Sequence, residues 1–208
     1  MNVLHKLQYI SQGMDADTQW ANISRALDNG VNWIQLRWKN ATPKHILPLA
    51  EKVKKLCEVY QASLIINDDI LIAQHVEADG VHLGLQDDSI AQARSTLGEN
   101  KIIGGTANTM ADVKQRVNEG CDYIGLGPYR HTITKEKLSP ILGIQGYKSI
   151  LTQLHTEMRI SIPPLYAIGG IRKEDVQGLL ELGVHGIAIS QVITMDPTCI
   201  TDFKQLLA

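Results

Sequence analysis

The sequence predicts an α/β protein of the (β/α)8 TIM-barrel class, and three observations carry that prediction. Short apolar runs alternate with amphipathic stretches along all 208 residues, giving eight strand-helix units. Gly30-Val31-Asn32-Trp33-Ile34, Gly120-Cys121-Asp122-Tyr123-Ile124 and Gly183-Val184-His185-Gly186-Ile187 each set a helix-stopping glycine before a strand, a weak internal repeat. Such alternation requires parallel strands joined by crossover helices, in a closed barrel or an open doubly wound sheet. Eight units in so short a chain favour the barrel, as one domain spanning residues 1–208.

Taken in order, Leu7 to Ser11 reads as the first strand, and Trp20, Ile23 and Leu27 recur at helical spacing until Gly30. Val31 to Trp38 is the second strand. Gln35, Arg37 and Lys39 fall on alternate positions, which puts three polar groups on one side and also suits an edge strand with a solvated face. Thr42 and Pro43 start a helix as N-cap and first-turn proline, with Ile46, Leu49, Val53, Leu56 and Tyr60 as its apolar stripe. Leu64-Ile65-Ile66 and Val81-His82-Leu83-Gly84 are two further strands, and each runs into acidic residues: Asn67-Asp68-Asp69 and Asp87-Asp88. A short helix around Ile90, Ala93 and Leu97 stops at Gly98. Lys101 to Ala107 follows as a strand, and Thr109 with Asp112 forms a capping box opening a helix that ends at Gly120. Strands are then expected at 123–127, 165–168 and 186–189, with helices at 144–154, 173–182 and 197–207.

Composition excludes several classes. With 20 basic and 22 acidic side chains the net charge is -2, so nothing in the balance suggests a nucleic-acid or membrane-surface partner. The N-terminus is too polar for a signal peptide, and no apolar run approaches the ~20 residues that cross a bilayer, so a cytoplasmic protein is expected. Cys57, Cys121 and Cys199 form no C-x-x-C, as in buried, inert thiols of a reducing compartment. No G-x-S-x-G, H-E-x-x-H, Rossmann or Walker pattern occurs, which favours chemistry without a protein nucleophile. His82, inside a strand, reads as a hydrogen-bonded barrel side chain, and the remaining histidines are scattered.

The polar residues nonetheless converge in expectation, because barrel strands share one C-terminal face. Magnesium takes one or two carboxylates and completes its shell with water and phosphate oxygens, a requirement that Asp68 and Asp87 meet. Asp69 and Asp88 begin the following helices and are expected as N-caps. Arg37 and Lys39 supply positive charge and Asn67 a neutral hydrogen bond, a combination that suits a diphosphate. Glycines at 104–105, 125, 127, 169–170 and 186 follow the late strands, where backbone amides can approach an anion. Gly169-Gly170-Ile171 and Ile189-Ser190-Gln191 fit the phosphate-binding loops after strands seven and eight. The polar stretch from Gly127 to Lys135 runs on to about Gly143, and Thr132, Thr134 and Lys135 offer hydroxyls and an ammonium suited to oxyanions.

With these residues assembled, the chain resembles the thiamine phosphate synthase family. The matching pieces are Gln35-Leu36-Arg37-Trp38-Lys39, Ile66-Asn67-Asp68-Asp69, Asp79 to Gly84 with Asp87, Gly125-Leu126-Gly127-Pro128, Thr132 with Thr134-Lys135, and Ile168-Gly169-Gly170-Ile171. The resemblance implies a barrel enzyme, a transferase, that joins hydroxymethylpyrimidine diphosphate to a thiazole phosphate or its carboxylated form and releases diphosphate. It further implies Asp68 and Asp87 on Mg2+, and Arg37, Lys39, Asn67, Thr106 and Lys135 on the diphosphate. Gln35 is implied at the pyrimidine, and Thr132, Thr134, Gly170, Ser190 and Gln191 at the thiazole phosphate. Small-molecule substrates are the expected partners, and a homo-oligomer is left open. Leu85 stands where the family usually has glutamine, Thr106 where serine is common, Asn108 where histidine is common, and Arg130-His131 where an aromatic-proline pair is usual. Two alternatives remain: a thiazole tautomerase-like isomerase, which would lack the paired acidic tips, and an inactive phosphate-sensing barrel.

Overall fold

The structure, a computed structural model, describes residues 4–131, 140–157 and 161–208. Strands β1 Leu7–Ile10, β2 Trp33–Leu36, β3 Ser63–Asn67, β4 Gly80–Leu83, β5 Ile102–Ala107, β6 Tyr123–Leu126, β7 Leu165–Ile168 and β8 Gly186–Ile189 pair in parallel, in sequence order, and β8 closes on β1. Between them run α1 Ala16–Asp28, α2 Pro43–Val59, α3 Ile70–His75, α4 Ile90–Leu97, α5 Met110–Glu119, α6 Gly143–Glu157 and α7 Lys173–Glu181; α8 Gln191–Met195 and α9 Ile200–Leu206 follow β8. The expected (β/α)8 barrel is the observed fold.

Strand periodicity divides the core in two. One set of alternate residues, including Leu64 and Ile66 of β3 and Ile124 and Leu126 of β6, packs outward beneath the helices. The other set points inward, where Trp33, Ile65, Ile102, Tyr123 and Tyr166 form a separate cluster at the strand beginnings. Three of its rings meet edge to face, with centroids 5.0 Å apart for Trp33–Tyr123, 5.1 Å for Trp33–Tyr166 and 5.5 Å for Tyr123–Tyr166. This aromatic layer floors the barrel.

Local chemistry explains the element boundaries, with some departures from expectation. Thr109 and Asp112 form the capping box of α5, and Gly120 ends that helix in the left-handed region at φ 77°. Asp69 Oδ1 accepts from the Ile72 amide at 2.8 Å, so Asp69 is the N-cap of α3. Asp88 is not a cap: Ser89 takes that place, its Oγ accepting from the Gln92 amide at 3.1 Å. The second strand is not an edge, because closure pairs β2 with both neighbours, Ile34 opposite Tyr9 and Leu64. The last helix is broken rather than continuous, since Asp196 caps a 3-10 turn at Pro197–Cys199 before α9 begins. The three cysteines are free and buried, and burial pushes the Cys57 and Cys121 thiols up to about 12, which keeps them inert. Asp69→Ala removes the α3 cap at a cost of about 1 kcal/mol. A thermal melt is expected to show a loss of about 2–4 °C for a chain of this length; an unchanged midpoint would make the cap energetically idle.

The glycine expectation needs correction. Gly104 and Gly105 lie inside β5, Gly125 inside β6 and Gly186 at the start of β8, rather than in anion-binding turns. Their missing side chains make room for others: a Cβ on Gly104 would sit 2.2 Å from the Tyr123 ring, and one on Gly125 would sit 3.2 Å from His82. A Cβ on Gly186 would fall 2.3 Å from the Lys6 carbonyl oxygen. Only Gly169 and Gly170, at φ 90° and 71°, occupy a left-handed turn after a late strand.

Candidate active site

A cavity of about 730 Å³ opens at the C-terminal ends of the strands, opposite the aromatic floor. Its wall holds Gln35 and Arg37 from β2 and its end, Asn67 and Asp68 from β3, His82 from β4, and Asp87 from the loop beyond. Thr106 and Asn108 come from β5 and its end, while Gly170, Arg172, Ser190 and Gln191 complete the far side. The two acidic tips therefore meet in one hollow, as the sequence led us to expect.

Backbone geometry aims these groups. Asp68 adopts φ 67°, a left-handed conformation that aspartate tolerates better than most residues, and its amide donates to the His82 carbonyl at 2.9 Å. Asp87 Oδ2 accepts from the Gly84 amide at 2.6 Å, and a Cβ on residue 84 would come within 2.8 Å of that oxygen. Glycine at 84 thus permits the loop to fold its carboxylate back onto the strand end. The Arg37 amide donates to Ser11 Oγ at 2.9 Å and its carbonyl accepts from Gln19 at 3.0 Å, which pins the backbone where β2 ends.

The electrostatics mark a site with two competing negative charges. The Asp68 carboxyl is raised from 3.8 to about 7, by surrounding protein first, then by the hydrogen-bonded Asp87 beside it and that residue's charge. Arg37 and Asn67 pull in the opposite direction. The carboxyl is nonetheless open to solvent in the cavity mouth, where water screens part of the repulsion. Burial lowers the Arg37 guanidinium, while Asp68 raises it. Two carboxylates with one guanidinium leave room for a further cation. Among the described residues no cluster of three or more His, Cys, Asp or Glu side chains could hold a metal, so any cation here must draw most of its shell from elsewhere.

The far wall is built differently. Gly169 and Gly170 turn the chain after β7, Ser190 Oγ donates to the Ile10 carbonyl at 2.7 Å, and α8 begins at Gln191. Arg130 ties the β6 loop to this wall: its guanidinium pairs with both Asp175 oxygens, donates to the Gly170 carbonyl at 3.1 Å and lies 4.8 Å over the Tyr129 ring. Burial raises Asp175, but the Arg130 hydrogen bonds and the Arg172 amide outweigh it and hold the carboxyl below its ordinary value. Asn108 donates to the Gly127 carbonyl and so joins the β5 and β6 tips.

Among the described residues expected at the site, Lys39 alone does not line this cavity. Lys39 borders a separate hollow with Met14, Trp38, Asn40 and His45. The alternation that pointed it inward lapses because β2 ends at Leu36. Thr132, Thr134 and Lys135 lie outside the described residues. Sequence reasoning also missed Arg116. Its side chain is buried and donates to the Thr106 carbonyl at 3.1 Å, to the Gly84 carbonyl at 2.8 Å and to Glu119 at 2.6 Å. The available signal was position: residue 116 falls between Val113 and Val117 on the buried stripe of α5.

Polar groups gathered at the C-terminal strand ends, above a packed interior, are the placement that defines a (β/α)8-barrel enzyme. Comparison with known proteins narrows the class. The family profile described as thiamine monophosphate synthase matches residues 7–193. The chain is 56% identical over 190 residues to the thiamine-phosphate synthase of Flavobacterium johnsoniae, covering 91% of this chain and 89% of that one. It is 45% identical over 201 residues to that of Bacteroides fragilis, covering 97% and 98%. A solved thiamine phosphate pyrophosphorylase from Pyrococcus furiosus superposes with a TM-score of 0.80 at 26% identity, covering 98% of this chain and 97% of that one. The chain belongs to the thiamine monophosphate synthase family.

Proposed function

We propose that this chain is a thiamine-phosphate synthase that condenses hydroxymethylpyrimidine diphosphate with a thiazole phosphate and releases diphosphate. The observation that carries the reading is the meeting of Asp68 and Asp87 beside Arg37 and Asn67 in one cavity, in a chain whose relatives bear that name. The donor set suits magnesium: two carboxylates are hard ligands, and repulsion between them is what a divalent ion relieves. Bound there, magnesium supplies charge neutralisation for the departing diphosphate.

This chain's own groups have separate tasks. Arg37, Asn67 and Thr106 offer hydrogen bonds to the diphosphate, and Gln35 reaches the cavity from deeper in β2 to orient the pyrimidine. The turn at Gly169-Gly170 and the start of α8 at Ser190-Gln191 receive the thiazole phosphate. The carbon–oxygen bond to the diphosphate breaks, its electron pair leaves with the oxygen, and the thiazole nitrogen lone pair forms the new carbon–nitrogen bond. No protein nucleophile is needed; positioning and anion stabilisation supply the catalysis. Lys39 and Lys135 are retained as diphosphate ligands and Thr132 and Thr134 as thiazole phosphate ligands on the family resemblance alone. No helix among the described residues is long and apolar enough to cross a membrane, and three free buried thiols support a reducing cytoplasm.

Purified protein given both substrates is expected to form product, read as fluorescent thiochrome after oxidation, only when magnesium is present. Absence of thiochrome at saturating substrates would end the synthase reading. Rearrangement of a thiazole phosphate without the pyrimidine substrate would instead favour the isomerase.

A further inference from the structure

Beneath the cavity a chain of polar groups crosses the barrel interior. Gln35 Nε2 donates to Gln8 Oε1 at 3.3 Å and Gln8 Nε2 donates to Tyr123 Oη at 3.2 Å. Tyr123 Oη lies 3.0 Å from His82 Nδ1, and His82 Nε2 lies 3.0 Å from Thr106 Oγ1. Gln8, Gln35, His82 and Tyr123 are all buried, and Gln8 and Tyr123 do not line the cavity, so water does not set the direction of the bonds at the phenol. The strands are cut to fit them: Gly104 sits beside His82 and Tyr123 in register, and Gly125 beside Thr106, leaving space for the phenol and imidazole rings.

The direction follows from counting protons. With Gln8 Oε1 taken up by Gln35, it is Gln8 Nε2 that faces the phenol, and an amide N–H can only donate, so the Tyr123 oxygen accepts from Gln8. The single phenol proton is then left for His82 Nδ1, which must be bare to receive it. A neutral imidazole with a bare Nδ1 carries its hydrogen on Nε2, and that hydrogen goes to Thr106 Oγ1. The opposite tautomer would leave the phenol proton without an acceptor in a dry interior. Thr106 Oγ1 is thus an acceptor toward His82, and its own proton turns away. That proton has no acceptor among the described residues, and Thr106 lines the cavity.

We propose that His82 is a positioning residue: held as the Nε2–H tautomer by Gln8 and Tyr123, it makes the Thr106 hydroxyl a one-way hydrogen-bond donor to an anion in the cavity. The identity of that anion as diphosphate rests on the function proposed above, whereas the tautomer does not. Long-range proton–nitrogen NMR on protein with labelled histidine is expected to find His82 protonated at Nε2 and bare at Nδ1. The opposite tautomer, or an even mixture, overturns the proposal whatever the ligand.

Calorimetry with magnesium diphosphate tests the consequence. Thr106→Val is expected to weaken binding by about tenfold or more, the effect of one hydrogen bond to a charged group. His82→Met is expected to lose as much, with no further loss in the double variant, and His82→Gln, which can still present an N–H to Thr106, to recover most of it. Full affinity in His82→Met alongside a weakened Thr106→Val overturns the positioning role and leaves the synthase reading intact. Failure of the unaltered protein to bind magnesium diphosphate removes that reading and, with it, the role. Should His82→Met not fold, Tyr123→Phe serves in its place: mixed tautomers and severalfold weaker binding are expected, and an unchanged tautomer overturns the proposal.

Discussion

Asp68→Ala and Asp87→Ala are each expected to reduce magnesium-dependent turnover by roughly 100- to 1,000-fold, the usual cost of removing one element of a preorganised electrostatic site. Asp68→Ala is not expected to weaken the metal-free fold, because it relieves a repulsion between neighbouring carboxylates, whereas Asp87→Ala also gives up the hydrogen bond from the Gly84 amide. The same repulsion sets a pH dependence. Burial and the Asp87 neighbour raise Asp68 to about 7 in the folded chain, against 3.8 as the ordinary value. Between those values the folded form holds a proton that the unfolded form has released, so stability falls as pH rises and levels off above about 7. Magnesium held by Asp68 and Asp87 would oppose that fall. Thermal melts across this interval should therefore slope downward without the metal and flatten with it, while Asp68→Asn stays flat in both. An equal slope with and without magnesium would remove Asp68 from the metal site.

Arg116→Met is expected to be strongly destabilising although Arg116 does not line the cavity. It strips hydrogen bonds from the Gly84 and Thr106 carbonyls and the ion pair from Glu119, which keeps only Gln115, a combined cost of about 3 kcal/mol. The melting midpoint should drop by about 6–12 °C. Because Arg116 holds the tips of β4 and β5, the magnesium concentration for half-maximal activity should rise as well. A melting loss without that rise would confine Arg116 to a structural role.

Much of the fold was legible because barrel strands leave a strong local trace. Leu165–Ile168 is an apolar run closed by glycine, Gly186–Ile189 is one opened by glycine, and Thr109 with Asp112 names its own helix start. What the sequence hid depended on closure. Gln35 reads equally as a solvated edge or as a buried interior group until β1 and β3 cover both sides of its strand. Glycine carries no side chain by which to tell its uses apart, so Gly104 and Gly125, which yield space to rings, look like Gly169 and Gly170, which turn the backbone. The acidic pair was legible because both carboxylates follow strand ends that any parallel barrel brings to one face. Gln8, Tyr123 and Arg116 were not, since their partners lie 27 to 115 residues away for Gln8, 41 for the Tyr123–His82 contact and 32 for Arg116 with Gly84.

The aromatic floor has a kinetic meaning. Trp33, Tyr123 and Tyr166 plug the strand beginnings, so among the described residues the cavity opens only at the opposite end, and the two substrates and two products of a synthase would share that doorway. Gln35 lies within β2 and Gly170 beyond the end of β7, so under the roles proposed above the pyrimidine would be seated before the thiazole covers it. Traffic through a single door makes the order of entry and exit a property of the barrel's depth, not only of the affinities at its mouth.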